Sequence, residues 1–134
     1  MRFAKWAFTG AGIYGLLTVA PLYFLEGYIS RATGPVTYPE YFYGFVGVTV
    51  AFQIVFLIVG RDPVRLRPVM PACMVEKISF GAAIFPLYAA HRVQIGVVIF
   101  AAIDLFLCAL FIASWFKTAN ATARSTRNEP SFAS

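Results

Sequence analysis

The run VQIGVVIFAAIDLFLCALFIASWF, residues 93–116, is the most informative part of this sequence, and Asp104 is its only charged residue. A helix needs about 20 consecutive apolar residues to cross the hydrocarbon core of a bilayer, which is about 30 Å thick. Buried helices of soluble proteins seldom stay apolar over such a length. This run therefore predicts a transmembrane helix.

Three other segments come close to the same length and hydropathy. Residues 6–25 and residues 41–60 contain no charge, whereas residues 71–90 carry Glu76 and Lys77. The uncharged part of the third segment is short, so a re-entrant or interfacial segment is the alternative to a full span there. Together with the run above, these segments predict four transmembrane helices.

The composition of the whole chain supports this interpretation. Of its 134 residues, 60% are hydrophobic and 13% are charged, and the mean hydropathy is +0.73. A soluble domain is typically about 45–50% apolar and about 25% charged. Disordered chains, coiled coils and disulfide scaffolds are thereby excluded. We predict an all-α integral membrane four-helix bundle that forms a single domain over residues 1–117.

The net charge of +5 points to membrane topology rather than to a nucleic-acid partner. Basic residues collect on the cytoplasmic side of membrane proteins. With four spans and a cytoplasmic N-terminus, eight Lys and Arg residues lie inside and two, Arg31 and Arg92, lie outside. An odd number of spans removes this bias, so we expect both termini in the cytoplasm. The inside set comprises Arg2, Lys5, Arg61, Arg65, Arg67, Lys117, Arg124 and Arg127.

The inner connection, residues 61–68, holds the densest charge cluster in the chain. Asp62 followed by Pro63 predicts a capped turn that lies along the membrane surface. Such a turn brings basic side chains close to anionic lipid headgroups, each of them worth about 1 kcal/mol of attraction. The alternative is an ordinary positive-inside signal. The candidate headgroup ligands are Arg61, Arg65 and Arg67.

Two further segments are too polar to span a membrane. Residues 26–40 are broken by glycine and proline, so we expect a connector or a small lid. Residues 118–134 are rich in Ser, Thr, Ala and Asn, and we expect a mobile cytoplasmic tail.

Small residues recur at helical spacing in two of the predicted spans. Ala7, Ala11 and Gly15 lie four residues apart in the first span, and Ala109 and Ala113 repeat that spacing in the fourth. Small residues let helix backbones approach closely in a membrane, where lipid supplies no hydrophobic driving force. These stripes pack within one bundle, or they form the face of a homo-oligomer or of a larger membrane complex.

A layer of polar side chains is predicted near mid-membrane depth. At about 1.5 Å of rise per residue, Asp104 and Gln53 lie about 16–18 Å from the outer ends of their helices. Glu76 and Lys77 lie about 20 Å deep, so all four residues fall in one slab. Unpaired charges at this depth cost at least a few kcal/mol, which makes them candidates for function. The layer also includes Thr49 and Tyr14.

Two interpretations of this polar layer are open. In the first, Asp104 pairs with Lys77 and Gln53 completes the hydrogen bonds, so the layer is a structural plug that fixes which helices touch. In the second, the layer lines a cavity, and Glu76 and Asp104 contact a polar group of a lipid-like or small ligand. Asp104 is central to both interpretations.

No cofactor or metal motif stands out in the sequence. It contains no glycine-rich phosphate loop, no HExxH motif and no Ser–His–Asp set, and its one histidine, His91, is predicted at an interface. Cys73 and Cys108 lie within spans, so we expect buried thiols rather than a disulfide. We therefore expect neither a cofactor nor a metal ion.

The motifs Tyr38-Pro39, Asp62-Pro63, Glu76 and Pro86 follow one another in an order that resembles the EXPERA-type sterol isomerases and related ligand-binding proteins. That resemblance implies a sterol-sized pocket faced by mid-membrane acids, with Glu76 and Asp104 at the matching positions. The length, hydropathy and orientation also resemble those of the DoxX-like group of bacterial membrane proteins. This second resemblance implies location in a bacterial inner membrane.

Three functional hypotheses follow. The first is a non-enzymatic accessory or ligand-binding protein, whose partners are the bilayer, a lipid-like ligand, and further copies of itself or a larger complex. The second is an intramembrane isomerase, in which Glu76 or Asp104 donates a proton to a double bond of a lipid-like substrate and the other carboxylate stabilises the cation. The third is a conducting oligomer, which needs a continuous polar path that the sequence does not offer.

Overall fold

The computed structural model describes residues 2–128, and within that range all regular structure is helical. Short 3-10 helices extend two of the α-helices, with Ala20–Phe24 after the first and Arg67–Val69 before the fourth. The five α-helices are α1 (Arg2–Val19), α2 (Glu26–Thr33), α3 (Pro39–Arg61), α4 (Met70–Ala89) and α5 (Ile95–Asn128).

Four of these helices are long and apolar enough to cross a membrane, as in an integral membrane protein. They are α1 and α4 with their 3-10 extensions, together with α3 and α5. The prediction of four such segments is confirmed, and the observed ends lie within a few residues of the predicted ones except at the end of α5. The third segment forms a single unbroken helix of 20 residues, which favours a full span over the re-entrant alternative.

The connection between α1 and α3, for which we expected a connector or a small lid, contains the helix α2. Tyr43 Oη of α3 donates a hydrogen bond of 2.5 Å to Glu26 Oε2, which ties the start of α2 to α3. The helix ends at Gly34, whose φ of 98° lies in the left-handed region that favours glycine. The polar segment is therefore ordered by one side-chain contact at its start and by a glycine at its end.

Helix α5 continues without a break past Phe116, the predicted end of the fourth span, to Asn128. Residues 118–128, which we expected to form a mobile tail, are therefore helical. The remainder of the tail, residues 129–134, lies outside the described residues.

The threonine hydroxyls in the polar part of α5 all bond within the helix. Thr118, Thr122 and Thr126 each donate a hydrogen bond of 2.7–3.3 Å to the carbonyl oxygen four residues earlier. Such bonds satisfy the hydroxyl groups inside the helix but slightly destabilise it. The alanine and arginine residues between them are good helix formers. Thr118 is also completely buried, so packing holds the first of these turns in place.

The four long apolar helices associate as two antiparallel pairs, α1 with α3 and α4 with α5. Glycines allow the close approach within each pair. In the first pair, Gly60 of α3 lies against Thr9 of α1. In the second pair, Gly81 of α4 lies against the side chain of Leu105. Because lipid offers no hydrophobic drive, such backbone contacts are a main source of helix association.

The small-residue stripe of α1 is used for packing inside the chain. Ala7, Ala11 and Gly15 are all buried, and Gly15 lies against Gln53 of α3. The corresponding pair in α5 differs, since Ala109 is exposed and Ala113 is only half-buried. The first stripe therefore packs within one bundle, as one of the two alternatives predicted.

The two pairs meet in an aromatic cluster, which we define as Phe8, Phe56 and Phe111, at the end of the bundle that holds the N-terminus. All three rings are completely buried. Phe8 and Phe111 stack with their ring centroids 4.1 Å apart, and Phe56 meets Phe111 edge-on at 5.0 Å. Such pairs contribute about 0.5–1.5 kcal/mol each beyond the burial of their surface. The cluster thus joins α1, α3 and α5.

The inner connection is held against α5 by Arg67. Its guanidinium carbon lies 3.5 Å from the ring centroid of Trp115, and its Nε donates a hydrogen bond of 3.1 Å to the Trp115 carbonyl oxygen. The backbone N–H of Arg65 donates to Asp62 Oδ1 at 3.2 Å, which confirms the predicted capped turn.

Gly60→Ala is expected to lower the free energy of unfolding by about 1–3 kcal/mol, because it overpacks a tight contact. The added Cβ overlaps Thr9 Oγ1 and comes within 3.1 Å of the Thr9 backbone nitrogen. Gly44→Ala on the same helix is the control, because nothing lies within 4 Å of a Cβ built there. Thermal unfolding in a neutral detergent, followed by circular dichroism, measures both variants. Equal unfolding midpoints would contradict the close approach of α1 and α3.

Candidate functional site

The helix pairs diverge away from the aromatic cluster and leave a cleft of about 550 Å³ between them. The cleft lies between the second half of α1, the first halves of α3 and α5, and the middle of α4. Sites for small molecules are typically about 300–1,000 Å³. The polar residues predicted at mid-membrane depth all line this cleft: Tyr14, Thr49, Gln53, Glu76, Lys77 and Asp104.

The charged floor of the cleft is built around Lys77, whose side chain is only 3% exposed. Its Nζ donates a hydrogen bond of 3.0 Å to Asp104 Oδ1 on α5 and lies 3.4 Å from Glu76 Oε2 on its own helix. The ammonium also lies 5.2 Å from the ring centroid of Phe56. An isolated buried charge costs several kcal/mol, and two adjacent carboxylates offset that cost. The ionic contacts thus join α4 to α5 at the base of the cleft.

Gln53 of α3 is completely buried beside this charged floor. Its Nε2 donates a hydrogen bond of 3.0 Å to the Thr49 carbonyl oxygen on the same helix. Its Oε1 has no hydrogen-bond partner among the described residues, and the same is true of Glu76 Oε2. A buried acceptor without a donor costs about 1–3 kcal/mol. Gln53 Oε1 is therefore left without a donor from the described residues, whereas Glu76 Oε2 lies in the ion pair with Lys77.

Gly15 of α1 makes room for the Gln53 amide. A Cβ at residue 15 would overlap both Gln53 Oε1 and Gln53 Cδ. The absence of a side chain at this position therefore lets the glutamine occupy its place in the cleft wall.

The plug interpretation predicted two contacts, of which one is confirmed and the other is wrong. Asp104 pairs with Lys77 as that interpretation required. Gln53 does not complete the set, because its amide bonds to its own helix and leaves Oε1 unpartnered. The Gln53 side chain packs against Gly15 of α1, and the sequence of α3 alone does not indicate this contact. The layer is thus both an ion pair and the floor of a cleft.

The walls of the cleft above this floor are apolar, and sequence analysis did not single out their residues. Helical spacing in the sequence is sufficient to identify these wall residues. Phe45 lies two helical turns before Gln53, and Val97 and Phe100 lie two turns and one turn before Asp104, so each shares a helix face with a polar residue. The rings of Phe45 on α3 and Phe80 on α4 stack, with their centroids 6.0 Å apart. The wall residues are Leu22, Phe45, Val48, Phe80, Val97 and Phe100.

The candidate headgroup arginines differ in their surroundings. Arg67 is half-buried against Trp115, so its charge already has a partner within the protein. Arg61 and Arg65 are exposed at the same end of the bundle. Of the three candidates only these two are exposed, and binding of lipid headgroups by them stays a prediction.

Within residues 2–128, no three His, Cys, Asp or Glu side chains form a group that could hold a metal ion. Cys73 and Cys108 are buried free thiols. Cys108 Sγ donates a weak hydrogen bond of 3.8 Å to the Met74 carbonyl oxygen. The chemistry at the cleft comes from the amide, the ammonium and the two carboxylates.

Comparison with known proteins gives no family assignment. No protein-family model, curated protein or solved structure matches this chain.

Lys77→Met is expected to lower the free energy of unfolding by about 3–5 kcal/mol, because it leaves two partly buried carboxylates without their cation. Lys117→Met is the control. Its ammonium lies at the end of the bundle, 4.0 Å from the ring centroid of Phe3, and its loss is expected to cost about 1 kcal/mol or less. Unfolding of both variants in detergent would be followed by circular dichroism. A Lys77→Met protein as stable as Lys117→Met would contradict the ionic floor.

Proposed function

We propose that this chain is a non-enzymatic integral membrane protein whose cleft binds an amphipathic, lipid-like molecule, as an accessory or ligand-binding subunit. The observation that carries the proposal is the combination of apolar walls with a charged floor in one cleft of about 550 Å³. A ligand with a hydrocarbon body and one polar end matches that division.

The volume of the cleft supports the binding of a ligand, in addition to a structural role for the polar layer. Helix interfaces are close-packed, and voids larger than a water molecule are few. A layer that only fixed helix contacts would need no space above it. Here Lys77 and Asp104 pair at the floor, and the space above them is lined by Phe45, Phe80 and Phe100.

The exposure of the cleft walls supports access of a ligand from the bilayer. Phe45, Val48 and Phe100 line the cleft and yet are 45%, 61% and 51% exposed. A lipid-like molecule can thus reach these wall residues without leaving the hydrocarbon region.

The isomerase alternative makes a different demand on the same residues. It needs Glu76 and Asp104 to face the substrate with Lys77 turned away, so that one acid can donate its proton. In the structure, Lys77 Nζ lies 3.0 Å from one carboxylate and 3.4 Å from the other. This arrangement supports binding by charge and hydrogen bonding rather than proton donation.

We also propose that both termini lie in the cytoplasm and that the membrane is a bacterial inner membrane. The support is the distribution of Lys and Arg over the two ends of the bundle. The basic end carries the inner connection and the extension of α5. On this topology the cleft lies in the outer half of the bilayer, with the polar floor near mid-depth.

Native mass spectrometry of the gently solubilised protein tests the binding proposal. The wild type is expected to retain a discrete bound lipid or metabolite. Thr49→Phe should lose it, because the added ring enters the cleft. Asp104→Asn should also reduce retention, because it weakens the pairing of the floor.

Ala51→Phe is the matched control, since Ala51 is exposed on the same helix and does not line the cleft. This variant should retain the ligand as the wild type does. A wild-type protein that is folded and ligand-free, or a ligand that stays bound in Thr49→Phe, would contradict the proposal.

Cysteine labelling in intact cells tests the topology. Thr37→Cys in the connection after α2 should react with a membrane-impermeant maleimide, whereas Ser125→Cys near the end of α5 should react only after the cells are opened. Both positions are exposed, and the native Cys73 and Cys108 are buried. Labelling of Ser125→Cys in intact cells would contradict a cytoplasmic C-terminus.

A further inference from the structure

The extension of α5, residues 117–128, carries its basic side chains along one side. They follow one another, with an amide between them, at alternating steps of three and four residues. Residues at this spacing share one side of a helix. All of them are exposed. We call this surface the basic face, and its residues are Lys117, Asn120, Arg124 and Arg127.

The basic face points away from the bundle. Thr118 is completely buried, and so is Ser114 one turn earlier, so these two residues mark the side of α5 that packs against the other helices. Successive residues of an α-helix are turned by about 100°, which places Arg124 about 120° around the axis from Thr118. A partner can therefore approach the basic face along its whole length.

The charges of the basic face have no acid beside them. Residues 117–128 include no Asp or Glu, and the ion pairs recorded within residues 2–128 all involve Lys77. Exposed charges on a helix are stabilised by opposite charges three or four residues away. Here that stabilisation has to come from an anionic group outside the extension.

A hollow beside the two arginines gives such a group a place. It has a volume of about 270 Å³ and is bordered by Asn120, Ala123, Arg124 and Arg127. The small side chain of Ala123 leaves this space open. A carboxylate that enters it meets guanidinium groups, whose forked N–H donors match both carboxylate oxygens.

The basic face extends past the lipid headgroups. Trp115 contacts Arg67 of the inner connection, and tryptophan is typical of the boundary between hydrocarbon and water. Arg124 and Arg127 follow about 14 Å and 18 Å further along the axis of α5. The headgroup region of one leaflet is only about 5–7 Å thick. This position favours a partner in the aqueous phase over an anionic lipid.

We propose that the basic face is a docking surface for an acidic helix of a water-soluble protein, whose carboxylates repeat at the same steps of three and four residues. The face is straight and about 15 Å long, so a helix that lies beside it brings one carboxylate to each basic group. On the proposed topology this partner is cytoplasmic. The inference goes beyond the proposed function and does not depend on what the cleft binds.

Two synthetic peptides test the spacing. The first is a labelled, alanine-rich peptide of about 18 residues, long enough to form a helix, with its glutamates at steps of three and four. The second has the same composition with the glutamates on opposite sides. Each is titrated against the full chain in nanodiscs of zwitterionic lipid, and fluorescence anisotropy reports binding. The first should bind about tenfold more tightly, because several exposed ion pairs form together. Its affinity should fall as salt rises from about 0.05 M to 0.5 M.

Three double variants locate the docking surface. Arg124→Gln with Arg127→Gln should weaken binding of the first peptide about tenfold, and the helix should persist, because glutamine is a good helix former. Arg124→Ser with Ser125→Arg keeps the net charge but moves one charge about 100° around the axis, and it should weaken binding about threefold. Arg61→Gln with Arg65→Gln is the control. It removes the same charge from the inner connection and should bind as the wild type does.

The contrary outcomes are distinct. Equal affinity for the two peptides, or unchanged affinity after the exchange at residues 124 and 125, would show attraction by net charge alone and overturn the docking surface. Phosphatidylglycerol retained by the protein, counted by native mass spectrometry, should be the same in Arg124→Gln with Arg127→Gln as in the wild type. A lower count would assign these arginines to lipid and overturn the proposal. The cleft ligand is tested separately by Thr49→Phe.

Discussion

A positive charge that lies away from water needs negative groups close to it, and Lys77 meets that requirement on two sides. Its ammonium contacts Glu76 on its own helix and Asp104 on the neighbouring helix. Helices α4 and α5 therefore cannot slide past each other without separating charges in a medium of low dielectric constant. The same contacts hold Asp104 at the base of the cleft and leave one oxygen of Glu76 without a hydrogen bond. The positions of the charged groups in the cleft thus follow from the pairing of Lys77 with Glu76 and Asp104.

The two ends of the bundle are built differently. At one end, the aromatic cluster and the contact between Gly60 and Thr9 hold the helices close. At the other, α3 and α4 approach each other at few points, among them Phe45 and Phe80, whose rings stack with their centroids 6.0 Å apart. Rigid packing at the first end allows the second to stay open without loss of the fold. Gly15 lies between these regions, where the close-packed helix pair meets the floor of the cleft.

Hydropathy and helical rise were sufficient to predict the spans and the common depth of the polar residues, because both follow from local sequence. The partner of Gln53 could not be predicted, since it depends on how closely Gly15 of another helix approaches. The length of α5 was also missed. Its polar end has the composition of a disordered segment, and the hydrogen bonds of Thr118, Thr122 and Thr126 depend on a helix that is already formed. Pairing of Lys77 with Asp104 was predictable, because two opposite charges at one depth in a bilayer have few other partners.

The length of α5 gives the molecule a mechanical property. Its 34 residues extend about 51 Å, well beyond the roughly 30 Å of a hydrocarbon core. Asn128 lies about 36 Å along the axis from Asp104. Because the helix is unbroken between these two residues, it tilts as one rigid rod. Its shorter part, before Asp104, borders the cleft. A change of only about 5° in its inclination would move the far end, beyond the hydrocarbon core, by about 3 Å.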